Sequence, residues 1–369
     1  MTPGNVTDIR NVRVLDGGLA TELERSGISL DGILWSARAL RDAPEAILAV
    51  HRDYLAAGAD CLLTASYQAS TLGFAEAFAR QENVAGFEVD PDDDPPPTPY
   101  SRYGPALDAF PEAAVEFSPQ ARIFAMARAA ARAALQTSVR LAAEARAEFH
   151  KAGHTRPILI AASLGPYGAA LHNGAEFHGN YNAGFAELVE FHRERIAVLA
   201  PGGAVLPGLD LLAFETVPSL EEARAILAAL SGFPALQAWV SFSCRDEQHV
   251  AHGERLFDCA ALLNSAPQVV AVGINCTAPA LITPLLAELR AGTAKPAIVY
   301  PNSGEGWDAV RRCWTGTADV ARYGAMAVEW FAAGAQMVGG CCRTGPAHIR
   351  AVRVVADQTT EHPGWDANK

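Results

Sequence analysis

Eight short apolar runs, separated by helix-forming stretches, limit the folds open to this sequence more than any other feature. They read VRVLDGG (12–18), DCLLTASY (60–67), PILIAASLGPYG (157–168), DLLAFET (210–216), LQAWVSFS (236–243), VVAVGINC (269–276), AIVYPNSG (297–304) and AQMVGGCC (335–342). Helix-like segments such as PEAILAVHRDYLAAGA (44–59), SLEEARAILAAL (219–230) and ALITPLLAELRAG (280–292) lie between them. Near-continuous apolar strands alternating with helices imply a parallel sheet covered on its outer face. Eight such units predict an α/β fold of the (β/α)8 TIM-barrel type, which needs about 250 residues when unadorned. The 369 residues then form one domain, 1–369, with room for insertions. A doubly wound sheet is the competing arrangement. The first run passes into DGGLATEL, however, and lacks the G-x-G-x-x-G spacing that holds a pyrophosphate.

One segment interrupts the rhythm. Residues 85–121, between the second helix and the third strand, are rich in proline and aspartate, with eight acidic side chains against one basic. Such composition rarely packs and predicts a flexible insertion. The polar tail after Ala356 is expected to fray. A net charge of −12 argues against a nucleic-acid partner bound by a basic face. No uninterrupted apolar run approaches the roughly 18 residues of a membrane helix, and the N-terminus carries no signal pattern. A cytoplasmic protein without a membrane partner is expected. Seven cysteines, odd in number and mostly scattered, do not look like a disulfide framework.

Chemistry in such a barrel gathers at the C-terminal ends of the strands. Here the runs end on Asp16, Thr64, Ser163, Glu215, Ser243, Cys276, Asn302 and the pair Cys341–Cys342. Cys276 closes the sixth run and the pair closes the eighth, so three thiolates can converge above the barrel. Three soft ligands with one open position make an incomplete tetrahedral Zn2+ site. Successive side chains of a strand point to opposite faces, so both cysteines reach one ion only where the backbone leaves that geometry. Gly339 and Gly340 permit such a departure. A vicinal disulfide and a pair of packed apolar thiols are the competing readings. Cys61, Cys244, Cys259 and Cys313 lack matched partners and read as packing or surface residues.

DGGLATEL (16–23), GINC (273–276) and GGCCRT (339–344) together carry a resemblance to the homocysteine S-methyltransferase family. LWSARAL (34–40), TASYQAS (64–70), SLGPYGA (163–169) and VYPNSGE (299–305) are similar to its branch that uses S-methylmethionine or S-adenosylmethionine. The likeness spans nearly the whole chain apart from 85–121. It implies that Cys276, Cys341 and Cys342 are the zinc ligands, with the fourth position left for the substrate thiol. Asp16 is implied to hold the substrate ammonium, with Gly17 beside it, and Glu215 is the second acid near homocysteine. Thr64 and Asn275 are further substrate-side candidates, Asn275 also as a residue that orients a ligand. Trp35 and Tyr67 match aromatic positions on the methyl-donor side. Thr216 stands where the betaine-using relatives have tyrosine, and their long C-terminal arm has no counterpart, which argues against betaine as donor.

The resemblance therefore implies homocysteine and a sulfonium methyl donor as partners. Thiols with a pKa near 8.5 are mostly protonated at neutral pH, and coordination to zinc deprotonates them. The aromatic pair can stabilise a sulfonium by cation–π contact, about 0.5–2 kcal/mol each, or serve only as packing. His172 and His178, in LHNGAEFHGNY (171–181), read as solvated loop histidines, and Glu176 and Tyr181 of that loop as donor-side residues. His192 and His348 read as surface or packing residues. An Asp16–Glu215 glycosidase pair leaves the cysteines unexplained. Two alternatives remain at this level: the same barrel acting on another small thiol or selenol, and a non-catalytic zinc or thiol sensor.

Overall fold

The computed structural model describes residues 9–28, 34–82, 119–308, 313–315 and 318–361. Its centre is a curled parallel sheet of seven strands, ordered β1-β2-β3-β4-β5-β6-β9. These are β1 (Cys61–Leu63), β2 (Leu159–Leu164), β3 (Leu211–Val217), β4 (Ala238–Phe242), β5 (Val269–Asn275), β6 (Ala297–Tyr300) and β9 (Ala335–Val338). Between β6 and β9, β7 (Gly306–Asp308) and β8 (Cys313–Thr315) form a separate antiparallel ribbon. Helices including Pro44–Ala57, Phe185–Leu199, Leu220–Leu230, Leu256–Asn264, Ile282–Gly292 and Val320–Ala332 cover the outer face. This is a TIM-like α/β arrangement, and seven of the eight expected runs supply its strands.

The first run behaves differently. Only Val14 and Leu15 pair, through isolated parallel bridges to Val338 of β9 and Cys61 of β1. Leu15 N donates to Val338 O at 3.0 Å and Asp16 N to Cys61 O at 3.1 Å, so one short segment joins both sheet edges. The ladder stops because the Asp16 carboxylate itself accepts the next donor, Leu63 N, at 2.8 Å. Gly17 and Gly18 then lead into the helix Leu19–Arg25.

Strand alternation divides the core into two layers. In β3, Leu212 and Phe214 face the helices while Leu211 and Ala213 join Trp239, Ile298, Tyr300 and Met337 inside the sheet. Small residues, Ala161, Ala213 and Ala271, leave space there for Trp239 and Tyr300. The indole N–H of Trp239 donates to Tyr300 Oη at 3.2 Å, and that hydroxyl donates to Ser241 Oγ at 2.8 Å. Gly273 is required beside them, because a Cβ would lie 2.6 Å from Ser241 Oγ and 2.8 Å from Ile298 O. Trp239→Ala is expected to destabilise the fold by about 3–5 kcal/mol, read as a lowered urea midpoint with an unchanged slope.

Residues 85–118 of the predicted insertion lie outside the described residues. Residues 119–121 belong instead to the first turn of the helix Pro119–Lys151, where a proline loses no intrahelical donor. Ile123, Ala127, Ala131, Leu135, Ser138, Ala142 and Ala145 form its buried stripe at helical spacing. The helix Pro346–Glu361 continues past Ala356, where fraying was expected, and Arg13 Nη2 donates to Thr359 Oγ1 at 3.0 Å. Among the described residues no helix is long and apolar enough to cross a membrane.

Candidate metal centre and active site

Two chain segments bring three cysteines to the C-terminal mouth of the sheet. Cys276 follows β5 directly, with φ at +49°, and its N–H reaches Tyr300 O at 3.3 Å. Cys341 and Cys342 follow β9 in a tight turn in which Thr344 N and Thr344 Oγ1 both donate to Cys341 O, at 3.2 and 2.7 Å. Arg343, the residue after the pair, has φ at +65°. Left-handed backbone outside glycine costs about 1–2 kcal/mol per residue and collects where surrounding structure enforces it. The turn is what lets adjacent cysteines face one point.

Gly339 and Gly340 contribute differently from the expectation. Neither has positive φ. A Cβ on Gly339 would overlap Leu15, and one on Gly340 would overlap Thr344, so both are needed for close packing. The departure from strand geometry falls on the turn and on Arg343. Cys341 N donates to Pro301 O at 2.8 Å, Ser303 N to Cys342 O at 3.0 Å, and Gly340 N to Asp16 O at 3.0 Å. Arg343 is tied by its Nε to Glu305 Oε2 at 3.1 Å.

The sulfur atoms of Cys276, Cys341 and Cys342 lie within 4.8 Å of one another, with Cys276 and Cys342 at 3.6 Å. A tetrahedral metal held at about 2.3 Å from each sulfur needs them about 3.8 Å apart. The triad fits such an ion. Hydrogen bonds from Cys276 and Cys341 hold the Cys342 thiol well below its ordinary range, while the same contacts push Cys276 up. The crowding thus favours ionisation at Cys342 and opposes it at Cys276. All three are free thiols, so there is no vicinal disulfide. Cys61 and Cys259 are buried in the core, as packing residues should be.

Two carboxylates lie beside the triad. Asp16 is buried, and its Oδ1 has no hydrogen-bond partner. Burial pushes it well above the usual carboxyl range, and the charge of Glu215 adds to this against the Leu63 N–H bond. Glu215, at the end of β3, accepts the Ser163 hydroxyl through Oε1. Burial pushes Glu215 up to about 7, opposed by the hydroxyls of Ser163 and Tyr300 and reinforced by Cys342. A carboxyl raised from 4.5 to about 7 on folding binds its proton more tightly in the folded state. Its stabilising contribution is therefore present at low pH and lost as pH rises through about 7. Glu215→Gln should raise the urea midpoint of metal-free protein at pH ~8 and leave it nearly unchanged at pH ~5.

Other expected residues have local commitments. Asn275 Nδ2 donates to Thr216 Oγ1 at 2.9 Å, and its Oδ1 accepts Thr216 N at 2.7 Å. Both ends of its amide thus fix Thr216, whose φ is +57°. Thr64 Oγ1 contacts Ser66 Oγ at 2.6 Å and accepts Ser163 N at 3.1 Å. A Cβ on Gly17 would meet Tyr54 at 2.9 Å, so this glycine allows close packing by Tyr54. Tyr67 borders the site: burial raises its phenol, the charges of Glu176 and Cys276 raise it further, and a hydrogen bond with Thr216 opposes them. Trp35 opens the helix Trp35–Asp42, but its side chain lies outside the described residues.

Of the two loop histidines, His178 is exposed as expected, whereas both ring nitrogens of His172 are buried without partners. Burial, helped by Arg80, lowers His172 to about 4. His192 is fully buried between Glu222 Oε1 (3.0 Å) and Arg195 Nη2 (2.9 Å). His348 is also buried. Ser163, which holds Glu215, and Tyr300, close enough to influence it, were not singled out as site residues by sequence reasoning. Their only signal was position at or near a strand end.

Comparison with known proteins agrees with this site. A sequence model of the family "Homocysteine S-methyltransferase" matches residues 13–88 and 114–356. Homocysteine S-methyltransferase YbgG of Bacillus subtilis (strain 168) is 42% identical over 94% of this chain and 95% of its own length. Homocysteine S-methyltransferase of Escherichia coli (strain K12) is 39% identical over 94% and 96%. Selenocysteine Se-methyltransferase of Brassica oleracea var. italica is 37% identical over 92% and 87%. Among solved structures, the metallated form of the homocysteine methyltransferase MmuM from Escherichia coli superimposes with a TM-score of 0.70. It is 36% identical, covering 93% of this chain and 96% of that one.

Proposed function

Because the chain belongs to the homocysteine S-methyltransferase family and is an enzyme of that class, we propose that it moves a methyl group from a sulfonium donor, S-methylmethionine or S-adenosylmethionine, to homocysteine bound at a Cys276–Cys341–Cys342 zinc centre. The observation that carries this reading is the sulfur triangle within 4.8 Å beside a buried, unpaired Asp16 Oδ1. On the same reading Val14–Leu15 is the first strand of a closed (β/α)8 barrel, since it bonds to β9 and β1.

Zinc held by these three cysteines would keep the substrate thiol ionised at neutral pH. Asp16 Oδ1 would accept the homocysteine ammonium, placing the ligand's sulfur toward the cysteines. Glu215, braced by Ser163, adds negative charge on the same side. The thiolate sulfur attacks the donor methyl carbon in line. As the new S–C bond forms, the old one breaks, its electron pair returns to the donor sulfur, and a neutral thioether leaves. No proton moves in this step, so no general base is required. The side chains lower the barrier by holding sulfur and methyl in line, an effect worth several kcal/mol. Tyr67 supplies a ring for the cationic donor.

Purified protein should carry about one zinc per chain and form methionine from homocysteine with at least one of the two donors. Metal bound without methyl transfer from either sulfonium or from betaine would refute the reading and leave the sensor alternative. The likeness to a selenocysteine Se-methyltransferase favours a second acceptor class, small selenols. Specificity constants for homocysteine and selenocysteine compared on one preparation measure that preference.

A further inference from the structure

We propose that Glu176 is the donor-specificity residue, its carboxylate facing the positive sulfur of the methyl donor. The inference rests on the sulfonium-donor reading above and adds the residue that selects for the cation. Glu176 lies in the short 3-10 turn Ala175–Phe177 of the loop that follows β2. Its backbone is fixed: Ser243 Oγ, at the C-terminal end of β4, donates to Glu176 O at 3.2 Å. Packing is close as well, since a Cβ on Gly168 would stand 2.6 Å from Glu176 N. Farther along the loop, the Tyr181 hydroxyl donates to Glu222 Oε2, and Glu222 Oε1 accepts Tyr167 N at 2.6 Å. The loop is thereby anchored on the helix Leu220–Leu230.

Glu176 Oε2 is sealed from solvent and has no hydrogen-bond partner. A buried carboxylate oxygen left without a partner is unfavourable. Burial pushes Glu176 up to about 7 against a hydrogen bond from its own backbone, and the charge of Cys342 adds to the shift. The Glu176 charge in turn raises Tyr67. Carboxylate, phenol and thiol cluster therefore lie within electrostatic reach of one another at the barrel mouth. A cation entering between Tyr67 and the thiols removes the penalty on Glu176, whereas a neutral thioether of the same shape does not. The same arrangement discriminates substrate from product, because methyl transfer turns the sulfonium into a thioether.

Calorimetric titration of wild type and Glu176→Gln with S-methylmethionine and, separately, methionine tests this. Expected is a loss of affinity for S-methylmethionine of about tenfold or more, with methionine affinity unchanged and Glu176→Asp intermediate. Circular dichroism and metal content serve as the check on folding. Unchanged S-methylmethionine affinity, or equal weakening of both ligands, overturns the proposal. Turnover with homocysteine is read separately. A charge preference lost in Glu176→Gln without methionine formation would leave the proposal standing and remove the transferase reading.

Discussion

Cys342→Ala is expected to release the metal and lower kcat/KM for methyl transfer by about 10³-fold or more while the barrel stays folded. The figure has two parts. Without a metal the substrate thiol returns to a pKa near 8.5, so only a few per cent is thiolate at pH 7, a loss of about 30-fold. Misplacing the nucleophile by about an ångström removes roughly another 10²-fold. Folding should survive because the turn is held by backbone and by Thr344, not by the thiol: Cys341 O accepts Thr344 N and Oγ1, and Ser303 N bonds Cys342 O. Cys61→Ala is the matched control, since Cys61 is buried in the sheet interior and should affect stability without changing metal content. Elemental analysis, circular dichroism and initial rates on the three proteins check the result. Full metal content and full rate in Cys342→Ala would exclude Cys342 as a ligand.

The parts of this site that were legible in the sequence are those fixed by strand position. Cys276 ends one parallel strand and Cys341–Cys342 follow another with β6 between them, so counting runs was enough to bring them together. What the runs do not encode is how a strand ends. The first run looks like a strand, yet Asp16 takes the Leu63 N–H and interrupts the ladder. Gly339 and Gly340 suggested backbone freedom, but the positive φ values belong to Cys276, Thr216 and Arg343, residues whose type does not announce it. The pairing of Asn275 with Thr216 links residues 59 positions apart, and no local pattern reports it. Likewise, Glu222, His192 and Arg195 form a buried polar chain from two helices. In sequence each looks like an ordinary surface residue of an amphipathic helix.

Asp16→Asn is expected to raise KM for homocysteine about 10- to 100-fold, because a hydrogen bond to a charged group is worth roughly 1.5–3 kcal/mol and each 1.36 kcal/mol is tenfold. Metal content should not change. Asparagine keeps a carbonyl oxygen to accept Leu63 N, now bonded at 2.8 Å, so the segment that joins the sheet edges is retained. Its NH2 group then occupies the place of Oδ1 and opposes an incoming ammonium. Wild type should also bind homocysteine better as pH rises. Burial, with the Glu215 charge, raises Asp16 in the empty site, and the ammonium favours the ionised form, so binding there releases a proton. This component should vanish in the variant, and KM–pH profiles for both proteins test it. An unchanged KM would place the ammonium elsewhere. Glu215 is the poorer host on geometric grounds, since its carboxylate already accepts from Ser163. Glu215→Gln should therefore shift KM less than Asp16→Asn, and the order of the two effects identifies which carboxylate holds the amino group.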